Sequence, residues 1–154
     1  MSDSDLMAEF ISVYMSSLKK LEKLISQPTS DFGISFEQWL IMTSVVKSGH
    51  ESPLTMTKIA TDRGVTKGAI ARQLKPLFER RYLNQVPDEQ DRRRTLLLLT
   101  PEGQRVEAII TSRVNGRFSG WLDIYGFAEG QNLLKTLHRL DTLIVQPELN
   151  KEKH

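Results

Sequence analysis

Two threonines, Thr55 and Thr66, stand on either side of Gly64, and this punctuation constrains the chain more than any other feature. Each threonine is followed by residues with helical spacing and no proline in the first turn. A threonine hydroxyl before such a segment accepts a backbone N–H that the first helical turn leaves unpaired. Thr55 therefore predicts a short helix over Met56 to Arg63. Gly64 ends it, because glycine takes the left-handed backbone conformation of a helix C-terminus at no steric cost. Thr66 predicts a second helix from Lys67 to about Arg80. Small Ala60 allows the two helices to touch, and Val65 and Ile70 supply apolar contacts behind the turn. Two short helices joined by a tight glycine turn form a helix-turn-helix.

The segment that follows, "LNQVPDEQDRRRTLLLLTPEG", sets the densest charge in the chain against its most apolar run. Leu83 to Val86 and Thr95 to Leu99 read as two strands. The connection Pro87 to Arg94 has no glycine and is longer than a tight hairpin turn. Alternation places Leu97 and Leu99 on one face and Leu96 and Leu98 on the other, so both faces are expected to be covered. A strand-loop-strand directly after a helix-turn-helix is a wing, its leucines anchoring it and its loop carrying charge outward.

Helices account for the rest. Met7, Phe10, Tyr14, Leu18, Leu21 and Ile25 recur in steps of three and four, predicting an amphipathic helix over 5–26 that Pro28 and Gly33 break. Ser35 caps a second, core helix, "FEQWLIMTSVVK", which Gly49 ends. Thr100, Pro101 and Glu102 open a long helix with the stripe Val106, Ile109, Ile110, Val114 and Trp121. A last helix over 129–145 carries Leu133, Leu137, Leu140 and Ile144, with Pro147 as its stop and a frayed tail. The expected fold is mainly α with a small β-hairpin wing. It forms a single domain over 1–154, with a winged helix-turn-helix lobe over 35–99 and a helical dimerisation region from 5–26 and 101–146.

Composition narrows the chemistry. The 154 residues include no cysteine, which excludes disulfides, thiolate metal sites and cysteine nucleophiles. His50, His138 and His154 are scattered, without the paired spacing of a metal site. No cofactor is expected. No phosphate-binding glycine loop, serine triad or paired catalytic carboxylate stands out, so the chain does not read as an enzyme. No apolar run reaches the length of a membrane span and the N-terminus is unlike a signal peptide, so a cytoplasmic protein without membrane association is expected. Net charge is only +2, yet Thr57 to Arg94 holds ten basic and five acidic residues, a net +5 between acidic flanks. On charge alone this centre reads equally as a polyanion-binding surface or as a solvated face.

Helical geometry sorts the second helix of the pair. Ile70, Leu74, Leu77 and Phe78 share one side. Gly68, Arg72, Lys75 and Glu79 lie opposite, with Gln73 flanking them. An arginine guanidinium at Arg72 suits guanine O6 and N7 in a major groove. Gly68 holds no side chain between backbone and DNA, and the first-turn N–H groups of Thr66, Lys67, Gly68 and Ala69 suit a phosphate. Arginines at the wing tip, Arg92, Arg93 and Arg94, suit the narrow minor groove of A/T-rich duplex.

In its order of elements the chain resembles the MarR family of winged helix-turn-helix regulators. The most specific likeness is the wing, where the family pattern is roughly D-P-x-D-R-R followed by L-x-L-T-x-x-G. Here the residues are Asp88-Glu89-Gln90-Asp91-Arg92-Arg93, then Leu97, Leu99, Thr100 and Gly103. "LTMTKIA", "VTKGAIARQLKPL" and "FEQWLIM" are also similar to the family. Three positions depart from it. Glu89 replaces a common proline, Arg81 replaces a common glycine, and Pro76 lies inside the recognition helix, where a kink near Arg72 to Pro76 is expected. The resemblance implies a homodimeric repressor on a palindromic double-stranded DNA site. It also implies that Asp91 pairs with Arg93 and fixes its direction, and that a small aromatic or anionic effector weakens DNA binding. Tyr14, Trp39, Phe118 and Trp121 are candidate lining residues for that effector. The alternative is a winged-helix module whose basic face meets an acidic protein partner.

Overall fold

The computed structural model describes residues 1–49 and 52–152; His50 and His154 lie outside them. The chain divides into two compact units, Met1–Val114 and Asn115–His154. Among the described residues no helix is long and apolar enough to cross a membrane.

The first unit begins with α1, Asp3–Val13, capped by Ser2, whose hydroxyl accepts from Asp5 while Asp5 accepts from the Ser2 backbone. A π-helical turn, Tyr14–Leu18, connects it to α2, Lys19–Ser30. The helix runs through Pro28 rather than breaking there. Its last turn is held partly by side chains instead: the hydroxyls of Ser26, Thr29 and Ser30 donate to carbonyls three residues back. Gly33, at φ 66°, makes the turn that was expected of both residues.

Ser35 and Gln38 form the capping box of α3, Phe36–Ser48. Its residues Trp39, Ile41, Met42 and Val45 are buried in the core. The helix-turn-helix follows as α4, Met56–Arg63, and α5, Lys67–Glu79. Thr55 accepts from Lys58, Thr66 accepts from Ala69, and Gly64 takes the left-handed conformation. Val65 differs from expectation. Its N–H donates to the Ala60 carbonyl, closing the turn, but its side chain is exposed. The backbone bond, not the side chain, fixes this corner. Pro76 lies within a helix that continues to Glu79.

Strands β1, Leu83–Pro87, and β2, Thr95–Leu99, pair antiparallel with Leu83 opposite Leu99 and Pro87 opposite Thr95. Leu97 is buried and its backbone N–H donates to the Leu54 carbonyl, while Thr55 bridges Leu96. The segment leading into α4 thus adds one more rung to the wing. The sequence gives no sign of this rung, because a single bridge has no periodicity.

Helix α6, Pro101–Tyr125, starts where the sequence places it. The Thr100 hydroxyl accepts from the Gly103 N–H and donates to the Arg81 carbonyl, and the Thr100 N–H donates to the Tyr82 carbonyl. Glu102 adds negative charge to the first turn, and its hydrogen bond from Arg105 holds its carboxyl below the usual carboxylate range. Ile34, Ile59, Ile70, Leu74, Leu77, Leu83, Val106 and Ile110 complete one core.

The second unit holds the end of α6 and then α7, Phe127–Leu140, entered through Gly126 at φ 97°. A π-helical turn, Asp141–Val145, leads into α8, Gln146–Lys151. Pro147 therefore does not stop the helix. Gln146 donates to Asp141, five residues back, and this widened turn accommodates a proline ring that an α-helical turn would crowd.

Two substitutions test the corner between α5 and α6. A Cβ at Gly103 would collide with the Tyr82 backbone carbonyl. Gly103→Ala is expected to cost about 1–3 kcal/mol in urea unfolding, as overpacked sites do. Among the described residues, Arg81 is the one non-glycine residue with positive φ, 58°. Relief of a left-handed penalty of about 1–2 kcal/mol, less roughly 0.5–1 kcal/mol of glycine chain entropy, makes Arg81→Gly stabilising. The same unfolding experiment checks both signs.

Candidate nucleic-acid interface

Helix α5 separates its two faces as its spacing requires. Ile70, Leu74 and Leu77 are buried in the core. Gly68, Arg72 and Lys75 are exposed on the other side, with Gln73 half-buried between. Lys75 sits 3.9 Å from Glu79. Lys67, Arg72, Arg92 and Arg93 form no ion pair with any described residue. At the start of the helix, Thr66 and Lys67 are exposed beside the first-turn N–H groups. Gly68 has only the Thr66 hydroxyl within 4 Å of where a Cβ would stand. A residue with a side chain would extend into open space there.

The wing loop is built from two successive turns in which an aspartate accepts from the backbone two residues on. Asp88 accepts from the Gln90 N–H at 3.0 Å, and Asp91 accepts from the Arg93 N–H at 3.1 Å. The Arg94 N–H donates to the Asp91 carbonyl and the Asp88 N–H to the Arg94 carbonyl, closing the loop. The ion pair here is Arg94 with Asp88, at 4.0 Å. Asp91 thus meets Arg93 through its backbone, where the resemblance implied a side-chain pair. Asp88 is a loop-forming residue that the sequence reading left out of the candidate site. The signal was present, since the two aspartates stand three apart and each precedes a turn by the same offset.

The elements bring part of the expected set together. Thr55, Thr57 and Lys67, at the starts of α4 and α5, border one cleft with Arg93, Arg94 and Thr95 of the wing. Arg92 borders a neighbouring recess with Val86 to Glu89. The expected effector residues are divided between the two units. In the first unit Trp39 is a core residue whose indole N–H donates to Thr111, and Tyr14 is exposed in the π-helical turn. In the second, Phe118 is exposed and Trp121 half-buried. Among the described residues no group of His, Asp and Glu forms a metal-binding cluster.

Comparison with known proteins places this geometry. Residues 35–103 match the winged helix DNA-binding domain family. A Staphylococcus aureus (strain Mu50) protein described as an uncharacterized HTH-type transcriptional regulator is 29% identical over 101 residues, which cover 66% of this chain. The chain spans 64% of the length of that relative. The multiple antibiotic resistance protein MarR of Salmonella typhimurium is 29% identical over 109 residues, covering 68% of this chain and 73% of MarR. The solved structure of Staphylococcus aureus MarR in complex with salicylate and kanamycin superposes with a TM-score of 0.72 at 21% identity, over 92% of this chain and 93% of that one. At that identity the likeness is one of fold. Over residues 35–103 the chain is similar to winged helix DNA-binding domains, and over 109 residues it is similar to MarR.

Proposed function

We propose that this protein is a transcriptional regulator that binds double-stranded DNA as a homodimer, α5 entering the major groove and the wing the adjacent minor groove. The observation that carries the proposal is the exposed, unpaired basic set: Lys67 and Arg72 on α5, Arg92 and Arg93 on the wing, held on two rigid elements over one core. Exposed and without an ion pair to any described residue, these four cations are available to an anionic partner. Phosphates and guanine edges are the groups such a set suits. The winged helix DNA-binding domain family matched by residues 35–103 and the regulators among the relatives support the same reading.

Homodimerisation is part of the proposal because the apolar stripes at both chain ends remain exposed. Phe10 is 57% exposed and Tyr14 50% in the first unit; Leu133, Leu137, Leu140 and Ile144 are exposed in the second. Exposed apolar stripes of this kind suit an association surface. Two copies related by a twofold axis would read a palindromic site. Repression, and release by a small aromatic or anionic effector, are the regulatory form proposed, supported by the salicylate complex of the similar MarR.

Three outcomes are expected. Sedimentation of the 17.6 kDa chain at micromolar concentration should give twice that mass; a monomer alone refutes the dimer. Arg72→Ala should lose about 1–3 kcal/mol per half-site and relax preference at one base in sequences selected from random duplex. An unchanged consensus removes Arg72 as a base reader. Asp91→Ala should weaken binding although it removes a negative charge, because the turn that positions Arg93 loses its acceptor. The double variant with Arg93→Ala should be little worse than Arg93→Ala. Tighter binding by Asp91→Ala at every salt concentration contradicts the positioning role.

A further inference from the structure

Glu107 stands apart from the interface and has no role in it. It lies on α6 between the core residues Val106 and Ile110, and is itself only 7% exposed. A buried carboxylate carries about four acceptor positions and needs donors or a cation to offset its lost hydration. This one is poorly served. The Thr111 hydroxyl donates to its Oε1 at 2.7 Å. The Thr43 hydroxyl reaches the same oxygen at 3.3 Å, but lies nearer, at 3.0 Å, to the Trp39 carbonyl, and has one proton for both. Oε2 receives no hydrogen bond from a described residue, yet no side-chain atom of Glu107 is both sealed from solvent and unpartnered. Oε2 therefore keeps an opening.

Glu107 also borders a groove of about 490 Å³, whose walls include Val45, Gly49, Leu97, Leu99, Gln104 and Ala108. Its size falls within the range of about 300–1,000 Å³ usual for small-molecule sites. Among the described residues, none that lines the groove is basic and none forms an ion pair with Glu107. Leucine and valine walls favour an apolar body, and a carboxylate held by one strong hydrogen bond at their edge favours a cationic head.

We propose that this groove binds a small amphiphilic organic cation, its ammonium group paired with Oε2 of Glu107 and its apolar part against Val45, Leu97 and Leu99. An ammonium donor supplies what Thr43 and Thr111 leave unmet, and in a partly dry site a charged hydrogen bond is stronger than a neutral one. Strand β2 is one wall of the groove and one strand of the wing, so occupancy would bear on the wing. That consequence, unlike the binding itself, rests on the DNA-binding reading above.

Calorimetry on the full chain tests the site, with phenethylammonium as the cation, 2-phenylethanol as its neutral counterpart and phenylacetate as the anion. The cation is expected to saturate and to bind at least about tenfold tighter than either analogue, the preference one charged hydrogen bond gives. Glu107→Gln, which keeps an acceptor for Thr111, should bring the cation down to the level of the alcohol. Ala108→Trp, at an exposed wall position that leaves the carboxylate in place, should abolish binding of both. A cation that binds no better than the alcohol, or a preference that survives Glu107→Gln, overturns the proposal, as does undiminished binding by Ala108→Trp. Duplex affinity measured with saturating cation then tests the coupling separately. If the cation binds as expected and duplex affinity does not change, the site stands and the coupling to the wing is wrong.

Discussion

One corner holds α5 and the wing in place. At the end of α5, the Tyr82 N–H donates to the Leu77 carbonyl and the Tyr82 carbonyl accepts from Thr100. Thr100 also joins the Arg81 carbonyl to the first turn of α6, and Gly103 lets that turn lie directly on the Tyr82 backbone. Helix α5, the first residue of β1, the last residue of β2 and the start of α6 therefore meet within a few residues of chain. Leu83 and Leu97 bury themselves beneath the corner. Whatever α5 and the wing do together depends on this backbone packing, and not on the side chains that would touch a ligand.

From there the site is assembled in layers. The core side of α5 fixes the rotation of the helix, which decides that Arg72 and Lys75 face outward. The rung between Leu54, Thr55 and β2 ties the start of α4 to the wing, so that Lys67 and Arg93 share one cleft. Two aspartates then stiffen the loop from inside. Each spends its carboxylate on a backbone N–H, and Asp88 also approaches Arg94. Exposed ion pairs contribute little, typically under about 1 kcal/mol. The shape of the loop thus rests more on its turns than on charge.

How much of this could be read in advance differs by element, for physical reasons. Helix starts were legible because a capping hydroxyl acts locally: Ser35, Thr55, Thr66 and Thr100 each cap where their sequence context says. Helix ends at proline were not. Pro28 and Pro147 lie within helices because nearby hydroxyls or a widened turn accommodate them, and both depend on neighbours several residues away. The outward face of α5 followed from periodicity alone. The role of Asp91 was only half legible, since sequence spacing does not tell a carboxylate bonded to a backbone N–H from one bonded to a guanidinium. Glu107 was invisible for a further reason. Its surroundings come from α3, β2 and α6, which meet only when the chain has folded.

The central claim is that the unpaired cations of α5 and the wing exist to meet a polyanion. The direct measurement is the association constant of the full chain for duplex DNA across a range of salt concentrations. Neutralised phosphates release counterions, so log K should fall linearly with log salt, by about 0.9 for each phosphate contacted. An acidic protein should not displace the duplex. A slope near zero, or displacement of duplex by the acidic protein at equal charge, would contradict the account.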